Sequence, residues 1–229
     1  MEVTLLDHMG TDLSVVNAAR VSFSKESEWE SITPAGPIHN LLKGSDEKLI
    51  SYLAKHKHWT PFGHCSVSFR IKAPVFVARQ LAKHQIGLVW NEVSRRYVDY
   101  EPEFYYPKYW RGKPTDKKQG SSEEEIDINP STGNGPAMVD EYHHAMKKCL
   151  WTYKDLLRKG VAPEMARMVL PQSMFTEWYW TGSLIAFSRV CFLRLKEDVQ
   201  EETRGIAQMI DVECEKLFPV SWKQLIKLS

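Results

Sequence analysis

Cysteine is scarce in this chain: four residues in 229, Cys65, Cys149, Cys191 and Cys214, widely separated and never in a CxxC pair. That spacing supports neither a disulfide framework nor a zinc site and suits buried free thiols. An excess of charge of one sign is also lacking. Lys and Arg number 30 against 29 Asp and Glu, a net charge of +1, so no global field points to nucleic acid. No apolar run approaches the ~20 residues of a membrane span, and no basic-then-apolar leader of the secretory kind is visible. The expectation is a cytoplasmic protein without a membrane or nucleic-acid partner. There is no internal repeat, no P-loop and no Gly-x-Gly-x-x-Gly fingerprint, so a dinucleotide would have to bind without a Rossmann fold. His56, His58 and His64 lack a clean metal-ligand spacing, and no metal is expected.

What is present is an ordinary globular composition, 43% hydrophobic and 26% charged, in a length that suits one domain with a sizeable core. Residues 2–6 read as a strand, and Met9-Gly10-Thr11-Asp12 as a turn into a helix that Asp12 or Ser14 caps. Residues 26–44 lack periodicity and read as a loop. From about Ser45, Leu49, Ile50, Leu53 and Ala54 make one apolar helix face. Strict alternation follows: Cys65, Val67, Phe69 and Ile71 against Ser66, Ser68, Arg70 and Lys72, a half-exposed strand. Residues 107–136, with Lys117-Lys118-Gln119-Gly120 and Glu123-Glu124-Glu125, are too polar to pack and read as a flexible insertion. Further helices are expected over 138–158, after Pro163, from Thr176 to about Leu195 and over 197–217. Together these imply an α+β domain, with a mixed or antiparallel sheet packed against several helices.

The chain is organised around Arg79 to Tyr97, RQLAKHQIGLVWNEVSRRY. A helix opening at Pro74 brings Arg79 and Lys83 to one face, and Gly87 ends it. Asn91, Glu92, Ser94, Arg95, Arg96 and Tyr97 then supply an amide, a carboxylate, hydroxyls and two guanidinium forks. Paired arginines beside a serine suit a phosphate monoester, because guanidinium offers bidentate donors in a fixed plane. Spacing alone is equally compatible with an amphipathic helix carrying a solvated basic face.

Four blocks resemble the flavin-dependent thymidylate synthases, in the same order. They are Met9-Gly10-Thr11-Asp12-Leu13-Ser14 through Ala18-Ala19-Arg20-Val21-Ser22-Phe23; His56-x-His58-x-Thr60-Pro61-Phe62-x-His64; His84 with Asn91-Glu92-x-Ser94-x-Arg96-Tyr97; and Ala166-Arg167-x-Val169-Leu170-Pro171. The family's Arg-His-Arg triplet stands here as Lys83-His84-Gln85, and the spacing to Ser94 is one residue longer.

The resemblance implies that Gln80, Glu92, Ser94, Arg95, Arg96 and Arg167 hold deoxyuridine monophosphate, with Arg167 reaching across from a neighbouring subunit to polarise the base. It implies that Ser22, Thr60, Lys83, His84, Gln85, Glu92, Cys191 and Lys196 line the FAD, and that His58 lies near the flavin ring and the folate. Arg167 and His58 are the catalytic candidates. The implied reaction is methylation of the nucleotide to its thymidine form in a homotetramer with shared active sites. Methylenetetrahydrofolate would give the carbon, reduced FAD the hydride, and NADPH would reload the flavin. Cys65 and Cys191 sit in apolar patterns that read as buried thiols, as a mechanism without an enzyme thiolate requires. Two alternatives stay open: a related hydroxymethylase, and a nucleotide-binding protein without catalysis.

Overall fold

The computed structural model describes residues 1–32, 39–115, 120–122, 124–128 and 137–228. The middle of the expected 26–44 loop and much of the expected insertion, Lys117 to Gln119 and Glu123 included, lie outside the described residues. The frame is a four-stranded antiparallel sheet of β1 (Glu2–Met9), β4 (Ser66–Pro74), β8 (Phe175–Ser183) and β5 (Leu88–Glu92), in that spatial order. Two small ladders stand apart from it. One pairs β2 (Glu30–Ile32) with β3 (His39–Leu41), and the other pairs β6 (Trp110–Arg111) with β7 (Glu125–Ile126).

Alternation decides which face of the sheet is buried. On β4, Val67, Phe69, Ile71 and Ala73 point inward, and on β8 so do Thr176, Trp178 and Trp180. Trp90 of β5 stacks on Trp178 with ring centroids 4.4 Å apart. Onto this face pack α1 (Asp12–Arg20), α2 (Gly44–Lys55), α3 (Thr60–Gly63), α7 (Leu184–Arg194), α8 (Glu201–Leu217) and α9 (Pro219–Leu228). On the opposite face Ser68 hydrogen-bonds Thr181, Arg70 pairs with Glu177 and Tyr179 is exposed.

Several expectations change. The aromatic run after Phe175 forms β8 and not the start of a helix, because Trp178 and Trp180 follow a period of two and their strand gains partners on both edges. The helix that follows, α7, is buried on most sides and so shows little periodicity. Helix α4 (Val75–Leu81) ends six residues before Gly87, so Arg79 and Lys83 do not share a helix face. Strand β1 runs three residues past the expected Leu6, and α8 starts at Glu201, four residues later than expected.

Ser14 closes a capping box with Thr11 at the start of α1, while Asp12 acts elsewhere. Its buried carboxylate accepts the backbone N–H groups of Val220 (3.0 Å) and Ser221 (2.8 Å), capping α9 from 208 and 209 residues away. Helix α5 (Met138–Arg158) has the bounds expected from its pattern, followed by α6 (Pro163–Ala166). The described part of the 107–136 segment is anchored rather than loose. Arg111 pairs with both Glu201 and Glu202, and the Tyr109 hydroxyl donates to Glu201.

Candidate active site

The end of β5 delivers the nucleotide candidates. Glu92 is held from two sides, accepting from Thr176 Oγ1 at 2.8 Å and from Trp90 Nε1 at 3.2 Å. Val93 N–H donates to the Glu177 carbonyl, the last tie to β8, and the chain then turns, Tyr97 N–H donating to the Ser94 carbonyl at 2.9 Å. Ser94 Oγ accepts from the backbone N–H and the Nε of Arg96, both at 3.3 Å. Its own proton remains available to donate outward. Arg96 is exposed, with its guanidinium 4.9 Å from the Tyr97 ring centroid. An exposed guanidinium beside a serine hydroxyl is a donor set for phosphate oxygens.

Arg95 departs from expectation. Only 7% exposed, it points inward, donates to the Tyr100 carbonyl and stacks 4.3 Å from the Tyr100 ring centroid. It does not present its fork to a ligand beside Ser94.

A second group forms where α4 and α7 end. Arg194 Nε donates to His84 Nε2 at 3.0 Å and Arg194 Nη2 to the Gln80 carbonyl at 3.4 Å, while Gln80 Nε2 donates to Gln200 Oε1. Burial first, and the Arg194 charge second, hold the His84 imidazole below its ordinary value. Two glycines shape the connection that follows His84. Gly87 has φ +76°, and a Cβ on Gly182 would lie 2.6 Å from the Gly87 carbonyl oxygen. The 82–87 connection therefore lies close over the start of α7.

The third group surrounds a cavity of about 350 Å³ between α2, α3 and α7. Leu53, Phe62, Ile185 and Phe192 supply apolar walls, Trp59 an indole, and Lys57, His58 and Arg189 positive or ionisable groups. Lys57 has φ +57°, a left-handed turn after α2 that carries the chain into His58. Such a lining suits a planar heteroaromatic ring with an anionic edge, as flavins and folates have, and its volume is that of a ligand pocket.

Other candidates are less committed. Ser22, Thr60, Lys83 and Gln85 are exposed, and Lys196 lies over the Phe192 ring at 4.7 Å. Cys191 is corrected: it is fully buried, its thiol donates to the Ala207 carbonyl, and it offers no surface to a flavin. Burial also pushes the Cys65 thiol up to about 11 and raises those of Cys191 and Cys214, so none of the three is a thiolate nucleophile near neutrality. Arg167 is exposed on the 3₁₀ turn after α6, Nε donating to the Glu164 carbonyl at 3.2 Å. Among the described residues no hydrogen bond or ion pair joins it to Ser94, Arg96 or His84. Arg194, Arg189 and Gln200 were missed by the sequence reading. The two arginines had one signal, their place five residues apart on an otherwise apolar helix, and Gln200 had none.

The family model described as thymidylate synthase complementing protein matches residues 4–220. A flavin-dependent thymidylate synthase of Kosmotoga olearia is 36% identical over 99% of this chain and 90% of its own length. That of Thermosipho africanus is 38% identical over 92% and 86%. Among solved structures, the UMP/dUMP methylase PolB from Streptomyces cacaoi, bound with 5-Br dUMP, superposes with a TM-score of 0.78 at 30% identity, covering 99% of this chain and 94% of that one. With the family model spanning most of its length and these relatives aligned nearly end to end, the chain belongs to the thymidylate synthase complementing protein family, that of the flavin-dependent thymidylate synthases.

Proposed function

We propose that this chain is an enzyme that methylates deoxyuridine monophosphate at C5 to give the thymidine nucleotide, with methylenetetrahydrofolate as carbon donor, FAD as cofactor and NADPH as reductant. The observation that carries this reading is the family match over residues 4–220, with the Ser94–Arg96 donor pair exposed on a defined turn. Ser94 and Arg96 bind the phosphate, and Glu92, fixed by Thr176 and Trp90, holds a polar edge of the nucleotide. Lys57, His58 and Arg189 edge the aromatic cavity where the flavin and folate rings would stack on Trp59 and Phe192. When bound, reduced flavin supplies the hydride that turns the transferred one-carbon unit into a methyl group.

The remaining work belongs to the protein's electrostatics. Making C5 nucleophilic puts negative charge on the uracil carbonyls, and a guanidinium aimed at them stabilises it. Arg167 takes that role, reaching a neighbouring subunit's nucleotide in a homotetramer with shared sites. Its exposure supports this arrangement. A cytoplasmic location follows from the activity proposed.

The test is product mass, with purified protein, dUMP, methylenetetrahydrofolate, FAD and NADPH. A methyl group gained at C5 supports the reading. A hydroxymethyl product would replace it with the hydroxymethylating alternative, and binding without any product would leave a nucleotide-binding protein.

A further inference from the structure

Residues 94–97 form a turn that faces two ways. Arg96 points to solvent, and Arg95 is buried beneath it. Arg95 closes a loop onto Tyr100, through a hydrogen bond to the Tyr100 carbonyl and through its guanidinium plane on the Tyr100 ring. No carboxylate forms an ion pair with it among the described residues. The two acids that share its small cavity, Glu103 and Glu177, are engaged by Lys72 at 2.8 Å and by Arg70. A buried guanidinium without a counter-ion is costly, and charge-assisted bonding with cation–π contact is what holds it there.

We propose that Arg95 is a positioning residue for nucleotide binding: it clamps the 94–100 loop from below, so that Ser94 and Arg96 meet the phosphate already oriented. This rests on the phosphate role of Ser94 and Arg96 proposed above. The clamp closes the loop across five residues, and its charge lies directly under the turn that receives an anion. A lysine would keep the charge but lose the flat face that stacks on Tyr100. Preorganisation of this kind lowers the ordering cost of binding without a contact of its own.

The experiment measures dUMP affinity by calorimetry and steady-state kinetics in FAD-loaded protein carrying Arg95→Ala, Arg95→Lys or Tyr100→Ala, each alone and combined with Ser94→Ala. We expect Arg95→Ala to raise the dUMP Kd and KM about tenfold, of the order of one lost charge-assisted hydrogen bond, with kcat within about twofold. Arg95→Lys and Tyr100→Ala should fall between it and the parent. In the Ser94→Ala background Arg95→Ala should add little, because both changes remove the same oriented turn. Full additivity would make Arg95 an independent phosphate ligand and overturn the proposal. An unchanged KM with a lowered Tm would overturn it too, by reducing the clamp to a stability element. If Arg95→Ala does not fold, Tyr100→Ala carries the same test from the other side of the contact. Failure of the unaltered protein to bind dUMP would instead refute the phosphate role itself.

Discussion

Arg194 Nε lies 3.0 Å from His84 Nε2, and a guanidinium can only donate, so His84 accepts on Nε2 and carries its single proton on Nδ1. The contact therefore exists only while His84 is neutral. Burial already disfavours the charged imidazole, and protonation would in addition set two positive groups against each other, so His84 is held below its ordinary value by burial first and by Arg194 second.

The first prediction is a pH dependence. With a folded-state value depressed below the unfolded one, His84 stabilises the fold above its ordinary range near 6.5, and that contribution is lost as pH falls towards the lower folded-state value. Activity should fall on the same acid limb. Arg194→Gln removes the charge but can still hydrogen-bond, so it should move the His84 titration upward in histidine NMR. An unmoved titration in that variant would mean that burial alone sets it.

The second concerns the outward half of the 94–97 turn. Arg96→Ala should weaken dUMP binding by about 2 kcal/mol, the loss expected for hydrogen bonds to a charged partner. Flavin content should stay unchanged, because Arg96 lies at the β5 end and not at the aromatic cavity. Calorimetry showing parent-like affinity would remove Arg96 from the phosphate site.

Legibility in the sequence followed local periodicity. Helix α5 and the inward face of β4 could be read directly because each keeps one period and one buried face. Strand β8 was harder, since its aromatic run joins α7 with no intervening loop, and the only mark of the change is Gly182 with the Ser183 N-cap, whose hydroxyl accepts from the Ala186 N–H. Arg194 was not legible, because its partner His84 is 110 residues away in sequence, and the flavin role that the resemblance implied for Cys191 meets a thiol buried in the core. The inward direction of the Arg95 side chain was hidden for a different reason. Adjacent residues in a tight turn point opposite ways, and no sequence signal said which of the two arginines faced the solvent.

The third prediction tests the shared site proposed for Arg167. Arg167→Ala should abolish turnover with flavin still bound. Mixed with Arg96→Ala protein under conditions that exchange subunits, at a dUMP concentration too low for that variant to turn over by itself, it should recover part of the activity, because a hybrid site draws one intact half from each chain. Native mass spectrometry would verify the exchange. If exchange occurs and activity does not return, both residues serve the site of a single chain.

The last prediction links the fold to the site through Gly182. A methyl group there would stand 2.4 Å from Leu88 Cδ2 and 2.6 Å from the Gly87 carbonyl oxygen, on a β5–β8 pairing in which Leu88 faces Gly182 directly. The leucine can rotate away, but the carbonyl belongs to a residue held at φ +76° and to the hydrogen bond from Ser183 N–H, so the backbone must move. Gly182→Ala should therefore cost on the order of 3 kcal/mol in denaturant unfolding, the upper range for overpacking a tight site. The displaced segment leads back through Gln85 to His84, so the variant should also loosen the Arg194 contact and return the His84 titration towards its ordinary value. A variant as stable as the parent, with His84 unshifted, would show that the sheet edge yields freely and that the close approach of Gly87 does not position the histidine.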